Sequence, residues 1–168
     1  GVSVTAIQLA GAYQAIANDG VRMSPYIVDK IVNHDGSLMY SHSPKTAGRV
    51  ISAVTARTMR EMMLGVAAPG GTARRAAIKG FSIAGKTGTA QKSVGRTYAP
   101  GLFRASFCGI VPATDPRLVV LVTLDFDERA LYHQGGNSAG PVFKRITEAA
   151  LRYLMVTPDR PDELEDEE

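Results

Sequence analysis

Between Gly80 and Lys92 the chain reads GFSIAGKTGTAQK, and what these residues become decides the fold. Two unrelated active-site patterns overlap there. From Gly80 the string fits the phosphate-loop pattern G-x-x-x-x-G-K-[ST], which needs a buried strand before the loop and a helix beginning at Lys86-Thr87 to cradle phosphates. From Lys86 it contains Lys-Thr-Gly, an element that acyl-transfer enzymes carry on a strand beside a nucleophile. The flanks favour a strand. Upstream, Thr72–Lys79 is cationic and has no apolar run, while Phe81-Ser82-Ile83-Ala84 alternates large and small residues as a half-buried strand does. Downstream, Gly88–Gly95 lacks apolar residues at helical spacing. The run Leu118–Asp125 mimics the strand-plus-aspartate that accompanies phosphate loops, but that pattern is common in any α/β protein.

A strand through Lys86–Thr89 has direct chemical consequences. Side chains alternate, so Lys86 and Gly88 share one face while Thr87 and Thr89 share the other. Lys86 supplies a fixed positive charge near a nucleophile or a substrate carboxylate. Gly88 removes the Cβ where substrate must lie against backbone. The hydroxyls of Thr87 and Thr89 can donate to a carboxylate, and a backbone N–H of the stretch, assigned to Thr89, can help hold a tetrahedral oxyanion. Three residues alone would fit an ordinary edge strand with a chance match; the longer string Gly85–Lys92 makes chance a poor explanation.

Ala84–Lys92 resembles the third motif of class B penicillin-binding proteins, the D,D-transpeptidases that cross-link peptidoglycan. Other segments match in order: Ser3–Tyr13 with Ala17–Val21, Gly70-Gly71-Thr72-Ala73, Ala105–Ala113, Pro116–Val120 and Gly135–Lys144. The context of Tyr132, Gly135-Gly136 and Pro141-Val142-Phe143 is most similar to the septal, cell-division (FtsI-type) branch. The resemblance implies peptide stems ending in D-Ala-D-Ala as substrate and β-lactams as acylating mimics. It also implies division proteins as partners and a membrane-anchored parent with its catalytic domain in the periplasm, at the septum.

The family's Ser-x-x-Lys nucleophile motif and its Ser-x-Asn motif are not found at any serine of this sequence. Lysine in the former lowers the cost of deprotonating the serine. The expectation is therefore the C-terminal portion of a transpeptidase domain, with the N-terminal part of the same domain as its first partner, and no acylation by this piece alone. A non-catalytic relative that keeps the fold as a scaffold is the alternative, and a nucleotide-binding loop over Gly80–Thr87 the disfavoured third.

Charge excludes little. The formal net charge is +3, but six of the sixteen acidic residues lie in Asp162–Glu168; without them nineteen basic residues exceed ten acidic ones by nine. A basic surface can favour anionic cell-wall polymer or membrane, although a solvated mixed surface is commoner. No interleaving of basic and aromatic residues suggests nucleic acid. His34, His42 and His133 lack ligand spacing, so neither metal nor cofactor is expected. Cys108 lies in an apolar run and reads as buried and inert.

The expected fold is α/β of the α+β type, an antiparallel sheet flanked by helices, with residues 1–158 in the domain and 159–168 an acidic disordered tail. Thr5 and Gln8 form a capping box for a helix with Ile7, Ala10, Tyr13 and Ala17 on its stripe. Ser3, near the same start, reads as a capping residue too. Residues 21–50 read as short extended segments around Asn33-His34-Asp35-Gly36, a hairpin with Ile27, Ile31 and Val32 before the turn and Leu38 and Tyr40 after it. Ser52 caps a second helix with a core stripe of Met59, Met62, Met63 and Val66. Strands follow near 80–90, 103–111 and 117–126, with 91–102 an exposed loop beside the site. A final helix starts near Pro141 and carries Val142, Ile146, Ala149, Ala150 and Tyr153.

Overall fold

The computed structural model describes residues 3–95, 97–126 and 134–165. Its first helix, α1 (Ala6–Ala17), starts on the expected capping box: Thr5 Oγ1 accepts the Gln8 N–H at 3.3 Å, and Gln8 Oε1 accepts the Thr5 N–H at 2.9 Å. Four short strands follow as two ribbons. β1 (Val21–Met23) pairs antiparallel with β4 (Thr46–Arg49), and β2 (Lys30–Val32) with β3 (Leu38–Ser41). The second ribbon is the expected hairpin. Its turn closes through Gly36 N–H to Asn33 O at 3.0 Å, yet Ile31, Val32, Leu38 and Tyr40 stay exposed.

Helix α2 (Ala53–Met63) is capped by Ser52 as expected, but the expected stripe is buried only in part, at Met63 and, just beyond the helix, Val66. Ala56 and Arg60 face inward, Met62 is 74% exposed and Met59 is exposed too. The reason lies outside the helix. The guanidinium of Arg60 is drawn onto the end of α1, where it donates to Ile16 O at 2.7 Å and Ala17 O at 3.3 Å. Those carbonyls have no intrahelical donor.

The centre is a three-stranded antiparallel sheet in the order β5 (Ala84–Val94), β6 (Thr97–Val111), β7 (Leu118–Phe126). Cross-strand partners share a face, and the register sorts the two sides. Ala84 opposite Ile110, and Ile110 opposite Val119, meet α1 and α2 through Tyr13, Ile16, Ala17 and Met63. Phe107, Val111 and Val122 lie on the other side against α3 (Gly135–Tyr153). There Phe107 and Phe143 meet edge to face, centroids 4.7 Å apart, an arrangement favoured by the ring quadrupoles.

Residues 91–102 are not a loop. β5 and β6 continue through them to a turn at Gly95, with Val94 opposite Thr97 and Ser93 opposite Tyr98. The register shifts between Gln91 and Ser93, so β6 absorbs Pro100 and Gly101 in a bulge instead of breaking there. α3 also begins earlier than expected, six residues before Pro141. A proline at that position cannot donate to the carbonyl of Asn137; Arg75 Nη1 does so instead, at 3.3 Å.

The acidic tail is a further correction as far as Glu165. Asp159 accepts hydrogen bonds from Ser82, Arg160 N–H reaches Gly80 O at 3.1 Å, and residues Asp162–Glu165 form a last short helix, α4. Composition alone suggested disorder, but the buried start of β5 offers this segment specific partners. Tyr132 and His133 lie outside the described residues.

Candidate active site on strand β5

Strand β5 runs unbroken through Lys86, Thr87, Gly88 and Thr89, which overturns the phosphate-loop alternative: no helix begins at Lys86-Thr87 to turn amides toward a phosphate. β5 is bonded to β6 alone, so Lys86–Thr89 stand on an edge of the described sheet. Lys86 pairs with Cys108 and Gly88 with Ser106. Both therefore occupy the face that α1 and α2 cover further along, whereas Thr87 and Thr89 turn to the α3 side.

Each side chain has a definite position. Lys86 is exposed, and its Nζ donates to the Thr87 carbonyl at 2.9 Å. A Cβ on Gly88 would come to 2.5 Å from Ser106 Oγ, so the serine hydroxyl would have to turn away to admit one. Thr87 Oγ1 donates to Thr72 Oγ1 at 3.3 Å. Thr89 Oγ1 accepts the N–H of Gly135 at 3.3 Å, one of the donors that the start of α3 leaves without an intrahelical partner. An accepting hydroxyl keeps its own proton free to donate, so Thr89 can still serve an anion on the open side.

The surroundings explain why α3 starts with two glycines. A Cβ on Gly135 would lie 2.7 Å from the Gly88 carbonyl oxygen and closer still to that of Ser106; on Gly136 it would overlap the carbonyl of Thr72. The helix start, the Thr72 loop and β5 are thereby pressed together backbone to backbone. The result is one cation on one face of the strand and the hydroxyls of Thr72, Thr87 and Thr89 beside a helix N-terminus on the other, a combination that favours negative charge. Thr72 and the Gly135-Gly136 pair were not among the expected site residues. Their signal in the sequence was their place in the family-like segments 70–73 and 135–144 and the glycine density there, which marks close approach without saying to what.

Cys108, across from Lys86, is 2% exposed, and burial pushes its thiol up to about 12. It stays protonated and unreactive as expected. On the same face Arg104 holds Asp125 in a two-pronged contact, 2.6 Å from Nε and 3.0 Å from Nη2, and Lys92 Nζ adds a contact at 2.9 Å. These bonds, that of Arg104 foremost, keep the Asp125 carboxyl far below the usual carboxylate range. Asp125 is thus shared by Arg104 and Lys92, while Lys86 on the same face makes its hydrogen bond to a backbone carbonyl. A cleft of about 710 Å³ between α1 and Pro116–Val119, and one of about 310 Å³ at the end of α3, both lie away from Lys86. No group of histidine, cysteine or carboxylate side chains among the described residues could hold a metal ion.

Known proteins supply the context. The family described as the penicillin binding protein transpeptidase domain matches residues 1–148. The chain is 39% identical to penicillin-binding protein PbpB of Mycolicibacterium smegmatis, over 96% of its own length and 26% of that protein's. It is 37% identical to the probable peptidoglycan D,D-transpeptidase PenA of Neisseria meningitidis, again over 96% and 26%. Among solved structures, penicillin-binding protein 3 of Mycobacterium tuberculosis complexed with aztreonam superimposes with a TM-score of 0.80 at 36% identity, over 96% of this chain and 38% of that one. The chain thus spans about a quarter of the length of the curated relatives it matches.

Proposed function

The chain belongs to the penicillin-binding protein transpeptidase domain family, and from that premise we propose that it is the Lys-Thr-Gly-bearing portion of a serine-type peptidoglycan D,D-transpeptidase of class B. The observation that carries the proposal is the passage of Lys86–Thr89 along a sheet edge, cation on one face and hydroxyls on the other. The nucleophilic serine comes from the N-terminal part of the same domain.

In the reaction, the serine hydroxyl attacks the carbonyl between the two D-Ala residues of a stem peptide, and terminal D-Ala leaves. The amine of a second stem then takes the acyl group and frees the serine. This chain contributes three things. Lys86 provides positive charge where the serine loses its proton. Thr87 and Thr89 receive the terminal carboxylate of the stem. A backbone N–H of the strand, that of Thr89, faces the oxyanion, where fixed donors are worth most. β-Lactams, aztreonam among them, present a carbonyl and an anionic group in the same relation and acylate the same serine. Division proteins as partners and a septal, periplasmic site of action belong to this proposal. Among the described residues no helix is long and apolar enough to cross a membrane.

The test is acylation of the complete domain by a β-lactam, read as an intact-mass adduct. Lys86→Ala should abolish the adduct with little loss of folding, since the side chain is exposed. Thr87→Val should mainly weaken recognition of the carboxylate. Near-wild-type acylation by Lys86→Ala would remove that lysine from the mechanism. An adduct on this chain in isolation would overturn the assignment of the nucleophile elsewhere.

A further inference from the structure

The start of β5 is tied to the far end of the chain by a small polar cluster that the reaction as described does not use. Asp159 Oδ1 accepts the backbone N–H of Ser82 at 2.8 Å, and Oδ2 accepts the hydroxyls of Ser82 and, at 2.7 Å, of Thr114. Ser82 is 1% exposed, and every polar group on it is engaged: its Oγ accepts the N–H of Ala113 at 2.9 Å, and its carbonyl accepts the same N–H at 3.1 Å. The next turn of chain repeats the tie, with Arg160 N–H on Gly80 O at 3.1 Å and Gly80 N–H on Glu163 Oε2 at 3.2 Å.

We infer that Asp159 is a positioning residue for the Lys-Thr-Gly strand: by gathering Ser82 and Thr114 onto one carboxylate it sets where β5 leaves the core, and so where Lys86 and Thr87 stand. The inference rests on the acyl-transfer reading of β5. Its physical content is the following. Ser82 lies four residues before Lys86, about 13 Å along an extended strand. Within the described sheet β5 has a neighbour on one side only, so its tilt depends on the pairing with β6 and on the point at which it enters. Ala113 and Thr114 belong to the turn between β6 and β7, which lies at the same end of the sheet, so the carboxylate ties the entry of β5 to the turn that closes the other two strands there. Only a carboxylate satisfies the geometry. Because Ser82 Oγ accepts from Ala113, its proton must go to Asp159, and Thr114 brings a second hydroxyl proton to the same oxygen. An asparagine would present either one acceptor too few or an N–H facing a donor.

The test compares Asp159→Asn with the wild type in the complete transpeptidase domain, at a temperature where circular dichroism shows both fully folded. Acylation by a β-lactam is followed across a concentration series, which separates reversible binding from the acylation step. Displacement of Lys86 predicts a fall of about 10-fold in the acylation rate constant with a smaller change in the binding constant, since misplacement of about 1 Å is costly to the chemical step. A folded Asp159→Asn whose acylation constant stays within about twofold of wild type would overturn the inference. If that variant does not fold, Thr114→Val removes one donor from the same oxygen at an exposed position. About a threefold fall in the acylation constant is then expected, and no fall overturns the inference. Lys86→Ala in the same assay keeps the two claims apart: acylation that survives it refutes the acyl-transfer reading itself, whereas its loss beside an unaffected Asp159→Asn refutes only the role given to Asp159.

Discussion

Arg60 offers a direct test of how the two helices beneath the Lys86 face are held together. It is 7% exposed, and its guanidinium meets three acceptors: Ile16 O at 2.7 Å, Ala17 O at 3.3 Å and Asp19 Oδ1 at 3.0 Å. Two explanations of its burial compete. In one the Arg60–Asp19 ion pair dominates; in the other the arginine is a cap for the carbonyl end of α1. The structure favours the cap. The side chain of Asp19 is 44% exposed and is shared with Arg57 at 3.3 Å, so its pairing is screened and contributes at most about 1 kcal/mol. The carbonyls of Ile16 and Ala17 have no helical donor, and leaving each unsatisfied costs about 1–3 kcal/mol. Arg60→Met keeps the apolar stem but removes the donors, and should destabilise the domain by about 3 kcal/mol, allowing for some relief by water near the surface. Asp19→Asn, which tolerates the left-handed conformation found there (φ 46°), should cost no more than about 1 kcal/mol. Urea unfolding of the two single variants and the double variant gives the coupling energy. A coupling above about 2 kcal/mol, or equal losses from the two single variants, would refute the cap.

Other expectations follow from the same geometry. Gly136→Ala drives a methyl group into the Thr72 carbonyl, so it should cost about 3 kcal/mol and slow acylation by spreading the site; wild-type stability and rate would show that the helix start can shift freely. Cys108 should resist thiol reagents at pH 8 in the folded protein and react once denatured, because it is buried with its thiol at about 12; fast labelling of the native state would contradict its placement. Burial pulls the Asp159 carboxyl upward, but the bonds from Ser82 and Thr114 together outweigh it and hold the group below its ordinary value. Its stabilising contribution is therefore complete above the unfolded pKa of about 3.9 and is lost as pH falls through the folded value. The melting-temperature gap between wild type and Asp159→Asn should narrow below about pH 4, and a gap that widens there would reverse the sign of the argument.

Features set by neighbours in the chain were legible in the sequence. The capping box at Thr5 and Gln8, the cap at Ser52, the turn at Gly36 and the alternation that puts Lys86 and Thr87 on opposite faces need only local spacing. Helix α2 shows where such reasoning stops. Its methionines are correctly spaced for a core stripe, yet Met62 faces solvent because a distant pair of carbonyls competes for that rotation of the helix and recruits Arg60. The segment 91–102 failed for a related reason. Pro100 and Gly101 end a strand when considered alone, but a bulge beside a long, well-paired partner accommodates both.

The site was half legible on the same principle. Lys86, Thr87, Gly88 and Thr89, the residues proposed to carry the chemistry, fall in one short string, so the string singles them out. What makes the string usable comes from elsewhere in the chain: Thr72 from fifteen residues before Thr87, Gly135 from forty-six residues after Thr89, Asp159 from seventy-seven after Ser82. Each acts through a backbone group or one polar side-chain group, for which periodicity has no signature. Glycine is the partial exception. Gly135 and Gly136 sit in a helix where alanine would be better by about 1 kcal/mol each, and a helix accepts that loss where backbone must meet backbone. A pair of glycines opening an otherwise regular helix therefore points to a docking of its N-terminus against another main chain, and here that main chain is the strand bearing Lys86.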